Sequence, residues 1–426
     1  MRRIGFRCEG EFDCSREEMK EDLLNFVSGL GTTTQISIMV INTAEDDKLE
    51  AGTFFVDKPA CFHFKGKRLT LEVDTTMLGP GYHVTELGIL EAIERETRLR
   101  WDRSTMHDDT GYYEHRDFKR LQRFMLDWLL EYSSSLLNTP DLELPVRTNL
   151  TMPYAMLPQG NEYFACHLLG YIHRDFFVYI HEFKDPELFC QAFFLWWNED
   201  LSAKFYLKCA LSIIWCQLNW LPPALDEEFI YIDHALKQLE AAWELDNTLP
   251  LPVPEWIELA KLSRDQELVD ELIRRFPTEI NQPASKGYRR HDILHTIGEN
   301  RWKIKLPGKM HHITGDDGAL LFWDDRQRSI RITVIHGCAE NGSPLPGMTL
   351  LQKNMGDLKA EWHILPEATS VPAFMLHGDS ADKDKSSCDT TLFAATDGIM
   401  VIVNVSYPEE EQKAWAVSLC DSLSTI

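Results

Sequence analysis

The chain has 426 residues, 44% hydrophobic and 26% charged, with a net charge of −24. That length and composition describe a folded chain of two or three domains. The acidic balance argues against binding nucleic-acid phosphates or an anionic membrane, which need a basic face, and suits either plain solubility or a basic protein partner.

Ten cysteines are scattered without a Cys-x-x-Cys pair, the first at Cys8 and the last at Cys420. Zinc sites and disulfide frameworks use tighter spacing, so reduced thiols in a cytoplasmic protein are expected. The basic start Arg2-Arg3 is followed by no apolar run, so no signal peptide is expected.

Residues 1–150 read as a mixed α/β domain. Glu17 to Val27 predicts a helix, opened by the capping pair Ser15 and Glu18 and closed by Gly29 and Gly31. Strands are expected at Gln35–Ile41, Ala51–Val56, Cys61–Phe64 and Arg68–Val73, with a hairpin turn at Lys65-Gly66-Lys67. Gly79-Pro80-Gly81 reads as a breaker before a helix from Val84 to Arg98, and Asp102 to Thr110 as a loop. Phe118, Leu121, Met125, Trp128 and Leu129 then share one helical face.

Residues 151–282 read as a helical domain. Its most apolar part, Phe164 to Leu221, predicts two or three helices. The polar step Asn198-Glu199-Asp200, Lys208 and the pair Pro222-Pro223 keep it too interrupted to span a bilayer. A helix follows at Asp226–Trp243, then a proline-stiffened connector at Asn247–Pro254 and a last helix from Leu262 to Phe276. Asn281 to Gly287 is a candidate linker.

Residues 286–426 change to strand patterning. Strands are expected at Trp302–Leu306, Ala319–Trp323, Ile330–Ile335, Glu361–Leu365, Phe374–His377, Thr391–Ala395 and Met400–Val405, with Asp397-Gly398 as a hairpin turn. A helix beginning at Pro408 closes the chain. The expected class is multidomain α+β: a mixed N-terminal domain, a helical centre, and a C-terminal antiparallel sheet of six or seven strands with a closing helix.

No catalytic constellation is present. His173-Arg174-Asp175 imitates a kinase triplet without the glycine-rich loop or the other kinase motifs. His291 and His295 stand at a spacing that would share a helix face, but the Glu of a zinc-protease motif is missing. His311-His312 beside Asp316-Asp317 falls in an expected turn. The densest acid–histidine cluster, His107-Asp108-Asp109 with Glu114-His115, suits either a cation or a helix-capping loop. No cofactor is expected.

Two stretches carry a resemblance. Arg301-Trp302-Lys303-Ile304-Lys305-Leu306-Pro307-Gly308, Leu320-Leu321-Phe322-Trp323, Arg328 to Val334 and Trp415 to Leu419 resemble the DcrB/PsbP-like domains of chaperone and immunity proteins encoded beside type VI secretion effectors. Gly79 to His83 and Asp109 to Phe118 resemble segments of polymorphic-toxin immunity proteins. The resemblance covers roughly half the chain and implies a bacterial immunity protein that covers a toxin's active site rather than an enzyme.

Charge then suggests where the partner sits. The segment 151–285 holds a net −12, half of the total. Glu227, Glu228, Asp233 and Glu240 are the expected contact residues there, and Asp108, Asp109, Tyr112 and Tyr113 form a second patch. The alternatives are an effector chaperone or adaptor with an apolar groove, and a metal-dependent hydrolase built on His107, Asp108 and Asp109.

Overall fold

A computed structural model describes residues 3–33, 38–41, 47–53, 60–140, 146–148, 156–166, 168–183, 185–279, 282–356, 358–379 and 387–426. Residues 35–37 and 54–56 of two expected strands, and Asn281 of the expected linker, lie outside them.

The N-terminal part runs β1 (Gly5–Phe12), α1 (Arg16–Thr33), β2 (Ile38–Ile41), β3 (Lys48–Thr53), β4 (Ala60–Lys65), β5 (Arg68–Asp74), α2 (Pro80–Glu96), β6 (Leu99–Asp108), α3 (Tyr112–His115) and α4 (Phe118–Leu136). Its antiparallel sheet has the order β2-β3-β4-β5-β1-β6 among the described residues. Period-two alternation turns Phe6, Cys8, Leu69 and Leu71 inward and leaves Arg7, Glu9 and Glu72 on the open face.

Local chemistry sets the helix starts. Glu18 accepts from the Ser15 amide at 2.8 Å while Ser15 Oγ accepts from the Glu18 amide at 3.2 Å, the reciprocal capping expected at α1. Asp117 caps α4 by accepting from the Arg120 amide at 3.1 Å. Gly29 and Gly31 do not close α1, which continues to Thr33.

The expected breaker Gly79-Pro80-Gly81 is instead the first turn of α2, with Pro80 where its missing N–H costs nothing. Gly79 has φ +97°, and a Cβ there would lie 2.4 Å from the Trp196 carbonyl oxygen. The close approach is functional for the fold: Gly81 donates to that carbonyl at 3.1 Å and Trp196 donates back to Leu78 at 2.8 Å. Asp102 to Thr110 is mostly strand β6 rather than loop. It is an edge strand whose polar side chains hide the alternation.

The centre runs β7 (Val146–Thr148), β8 (Leu157–Gln159), β9 (Tyr163–Cys166), β10 (Gly170–His173), α5 (Arg174–Tyr179), α6 (Glu187–Phe193), α7 (Ala203–Cys216), α8 (Asp226–Leu245), α9 (Val253–Leu262) and α10 (Gln266–Arg275). The aromatic stretch therefore opens as a small antiparallel sheet, β10-β9-β8, before it turns helical. His173 ends β10 and caps α5, its Nδ1 accepting from the Asp175 amide at 3.1 Å. Helix α9 begins inside the stretch taken for a connector, with Pro254 in the first turn, where proline is tolerated.

One apolar core runs without a break from Ile4 to Phe276. The first two expected domains thus share their interior. Trp128 and Tyr132 of α4 meet Phe193 and Phe194, so aromatic rings form the joint.

The C-terminal part runs β11 (Ile293–Ile297), β12 (Trp302–Leu306), β13 (His311–Thr314), β14 (Leu320–Trp323), β15 (Ser329–His336), α11 (Gly347–Met355), β16 (Glu361–His363), β17 (Ala373–Asp379), β18 (Cys388–Thr396), β19 (Ile399–Tyr407), α12 (Lys413–Asp421) and β20 (Ser424–Thr425). Among the described residues, β13-β14-β15-β19-β18-β17-β16 make the seven-stranded antiparallel sheet, with α12 as the closing helix. A second sheet, β20-β12-β11-β7, packs onto the same core, and β7 joins it in parallel from the N-terminal side of the chain. His295 lies on buried strand β11 and not on a helix, its ring edge-on to Phe322 at 5.4 Å. His311 and His312 lie on strand β13 and not in a turn.

Candidate protein-binding surface

The structure separates the expected contact residues into internal and surface groups. Asp108 is internal: its side chain is 3% exposed. Strand alternation turns it to the side opposite His107. One carboxylate oxygen lies 3.2 Å from His83 Nε2 and accepts from the Thr110 amide and hydroxyl, each at 2.8 Å. The other accepts from the Tyr113 amide at 2.8 Å. Burial alone would raise this carboxyl. The His83 contact and the Tyr113 and Thr110 amides outweigh it and hold Asp108 well below the usual carboxylate range. His83 is fully buried and bonded on its other side to Thr75 at 2.9 Å. This network organises the β6–α3 corner.

Asp108 is therefore corrected from contact residue to core. Tyr112 is corrected likewise: it is buried against His83 and His115. Asp109 anchors the start of β1 by accepting from the Gly5 amide at 3.1 Å, with His107 at 3.5 Å. Tyr113 is half-buried, bonded to Arg103 and covered by the Arg116 guanidinium. His107 and Asp109 thus meet on one side of the strand, and Asp108 turns to the other. Among the described residues no group of three or more His, Cys, Asp or Glu side chains is placed to hold a metal ion.

Glu228 is the third correction. It lies in the first turn of α8 and faces β13, bonded to His311 Nδ1 at 2.8 Å and to Asn219 Nδ2 at 2.5 Å. It also accepts from the amides of Ala224 and Leu225, closing the first turn of α8. Burial would raise its carboxyl, but the His311 bond and these amides hold it below its ordinary value. Around this pair the segment after α10 is clamped. Glu255 accepts from the amides of Ser285 and Lys286, both at 2.8 Å. Arg290 pairs with Glu258 at 2.7 Å over the Trp220 ring, and buried Arg289 donates to Gly308 and Met310. The expected linker is thus tied down at Ser285 and Lys286 and buried at Gly287, while Gln282 and Pro283 are exposed.

Glu227 and Asp233 do lie on the exposed face of α8, where Asp233 pairs with Lys237 at 2.7 Å. Glu240 pairs with Arg275 at 3.0 Å, and that guanidinium lies against Trp243 and Trp256. Two residues that pattern reading missed complete the face. Phe229 is 51% exposed and Ile230 46% exposed, beside Asp226, Glu227 and Asp233. Phe229 shares three-residue spacing with Ile232 and reads as inward-facing, which the structure corrects, whereas Ile230 falls off that stripe and was the available signal.

Among the described residues no helix is long and apolar enough to cross a membrane. No family model matches the sequence, and no curated protein matches it. A crystal structure from Bacteroides thetaiotaomicron VPI-5482, at 1.50 Å resolution, is 12% identical over 32% of this chain and 49% of its own, with a TM-score of 0.27. The matched region spans about half the length of that chain, and the likeness is too slight to assign a shared fold.

Proposed function

We propose that this chain is a non-enzymatic, cytoplasmic immunity protein that binds a basic toxin and covers its active site. The observation that carries the reading is the outer face of α8, where Phe229 and Ile230 stand exposed among Asp226, Glu227 and Asp233. Apolar anchors with a polar rim are the ordinary anatomy of a specific protein interface, and this rim is acidic apart from Lys237, which pairs with Asp233. The net charge of −24 supports the same partner chemistry through steering. The immunity role itself leans on the sequence resemblance.

The test is co-expression of the chain with the toxic product of a neighbouring gene. Restored growth together with a stoichiometric complex on gel filtration is the expected result. A toxin that remains lethal and unbound overturns the reading. So does protection that survives without any complex, because that outcome requires chemistry rather than occlusion.

A further inference from the structure

A second surface lies away from α8, where α5 turns into α6. Val178, Tyr179, Phe183 and Leu188 are exposed there, with Phe183 at 60% and Leu188 at 62%. The rings form a graded series into the interior. Phe183 lies 5.9 Å from Tyr179 and 5.7 Å from Phe189, Phe189 lies 5.1 Å from Phe176, and Phe176 stacks on buried Phe193. Phe183 is therefore backed by rings that lead into the interior, which limits the side-chain freedom it has left to lose on binding.

The rim is acidic. Asp175, Glu182, Asp185 and Glu187 are all exposed around these side chains. Between Arg174 and Lys204 the sequence holds one further Lys or Arg, Lys184, which lies outside the described residues, and one histidine, His181, bonded to Ser133. Arg174 itself is turned inward, donating to the Leu137 carbonyl and lying over Phe164. An anionic lipid surface would be repelled by this rim. Among the described residues of the turn, the Ile180, Glu182, Phe183 and Phe189 amides all donate to local carbonyls, so they present no open strand edge. Recognition must then run through side chains.

We propose that the α5–α6 corner docks a basic amphipathic helical segment of a partner protein. Its apolar stripe would cover Phe183 and Leu188, and its Lys and Arg side chains would face Glu182 and Asp185. This surface stands on its own observations and does not require the α8 reading.

The probe is a fluorescein-labelled 18-residue amphipathic peptide of leucine and lysine, titrated with the full chain and read by anisotropy. The controls are a scrambled peptide of the same composition, a leucine–glutamate peptide and phosphatidylcholine vesicles. The expected result is binding of the amphipathic cationic peptide, at least about tenfold tighter than the scrambled one. The double variant Phe183→Ser/Leu188→Ser should lose about tenfold or more, as loss of two anchors implies. Glu182→Lys should lose a few-fold and flatten the salt dependence. Asp226→Lys/Glu227→Lys/Asp233→Lys on α8 should leave binding within about threefold.

Equal affinity for the acidic and basic peptides, preference for the vesicles, or no binding overturns the proposal. Loss of binding in the α8 variant but not in the α5–α6 variants overturns it too, while leaving the α8 reading intact. Circular dichroism checks that each variant remains folded.

Discussion

Replacing Asp108 with alanine should damage folding rather than recognition. The carboxylate satisfies the Thr110 amide and hydroxyl and the Tyr113 amide, and it faces buried His83. Each hydrogen bond to a charged group contributes roughly 1.5–3 kcal/mol, but shared partners are not additive. Removing the carboxylate strands the Thr110 and Tyr113 amides at about 1–3 kcal/mol each, and the 3% exposure of this side chain leaves little solvent to relieve them. Asp109→Ala, by contrast, frees the Gly5 amide from a bond at the rim of the sheet and should cost about 1 kcal/mol.

The pH sign follows from the direction of the Asp108 shift. Its folded carboxyl titrates below its ordinary value, so the stabilising contribution is complete above the unfolded pKa and disappears as pH falls through the folded one. Urea unfolding of wild type, Asp108→Ala and Asp109→Ala at pH 7 and pH 3.5, followed by far-ultraviolet circular dichroism, checks both points. The gap between wild type and Asp108→Ala should already be narrower at pH 3.5, below the ordinary carboxyl value of 3.8, than at pH 7. A loss under about 1 kcal/mol for Asp108→Ala at pH 7 would refute the internal role, because it would mean the surrounding donors find water.

Three further outcomes follow from other sites. Glu228→Ala leaves His311, Asn219 and the first turn of α8 without their acceptor, and tryptic cleavage at Lys286, Arg289 and Arg290 should accelerate at least tenfold, a change of about 1.4 kcal/mol in local opening; unchanged protection would show that the clamped segment does not rest on this pair. Lys208 donates to the Gln191 and Phe194 carbonyls, and burial, aided by Lys204, pulls its amine down to about 7 from an ordinary 10.5. The fold thus disfavours the charged amine, so wild-type melting temperature should rise relative to Lys208→Met as pH goes from about 7 towards 10.5, and parallel curves would contradict it. Gly79→Ala combines positive φ with a collision against the Trp196 carbonyl, and should cost about 2 kcal/mol or more in thermal or urea unfolding, whereas a neutral effect would deny that contact.

Much of the fold was legible where local chemistry decides it. The Ser15–Glu18 capping pair placed α1, and the β-branched alternation in Ile330–Ile335 and Met400–Val405 placed the central strands of the C-terminal sheet. Where the environment decides, reading failed. Strand β6 carries polar residues on an edge, and β13 carries two histidines, so neither shows strand propensity. Helix α9 begins among prolines that are permitted only because they fall in a first turn. The α+β class and the closing helix were recoverable, but the single core running from Ile4 to Phe276 was not, because aromatic contacts between distant segments make it.

The same limit governed the surface. Asp108 and Glu228 have the composition of contact residues, yet their partners were invisible to spacing: His311 lies 83 residues from Glu228. Glu227 and Asp233, without such partners in the interior, remain outside. The exposed rings Phe229 and Phe183 were hidden for a different reason: Phe229 keeps three-residue spacing with Ile232 and so reads as inward-facing, and Phe183 follows directly on the aromatic run that reads as core.

The central claim is that the α8 face captures a basic partner by electrostatic steering. Stopped-flow association of the cognate toxin with wild type and with Asp226→Lys/Glu227→Lys/Asp233→Lys, across 20–500 mM salt, tests it most directly. The variant should associate at least about tenfold more slowly at low salt, with the two curves converging as screening grows. Coincident rates at every salt concentration would contradict it.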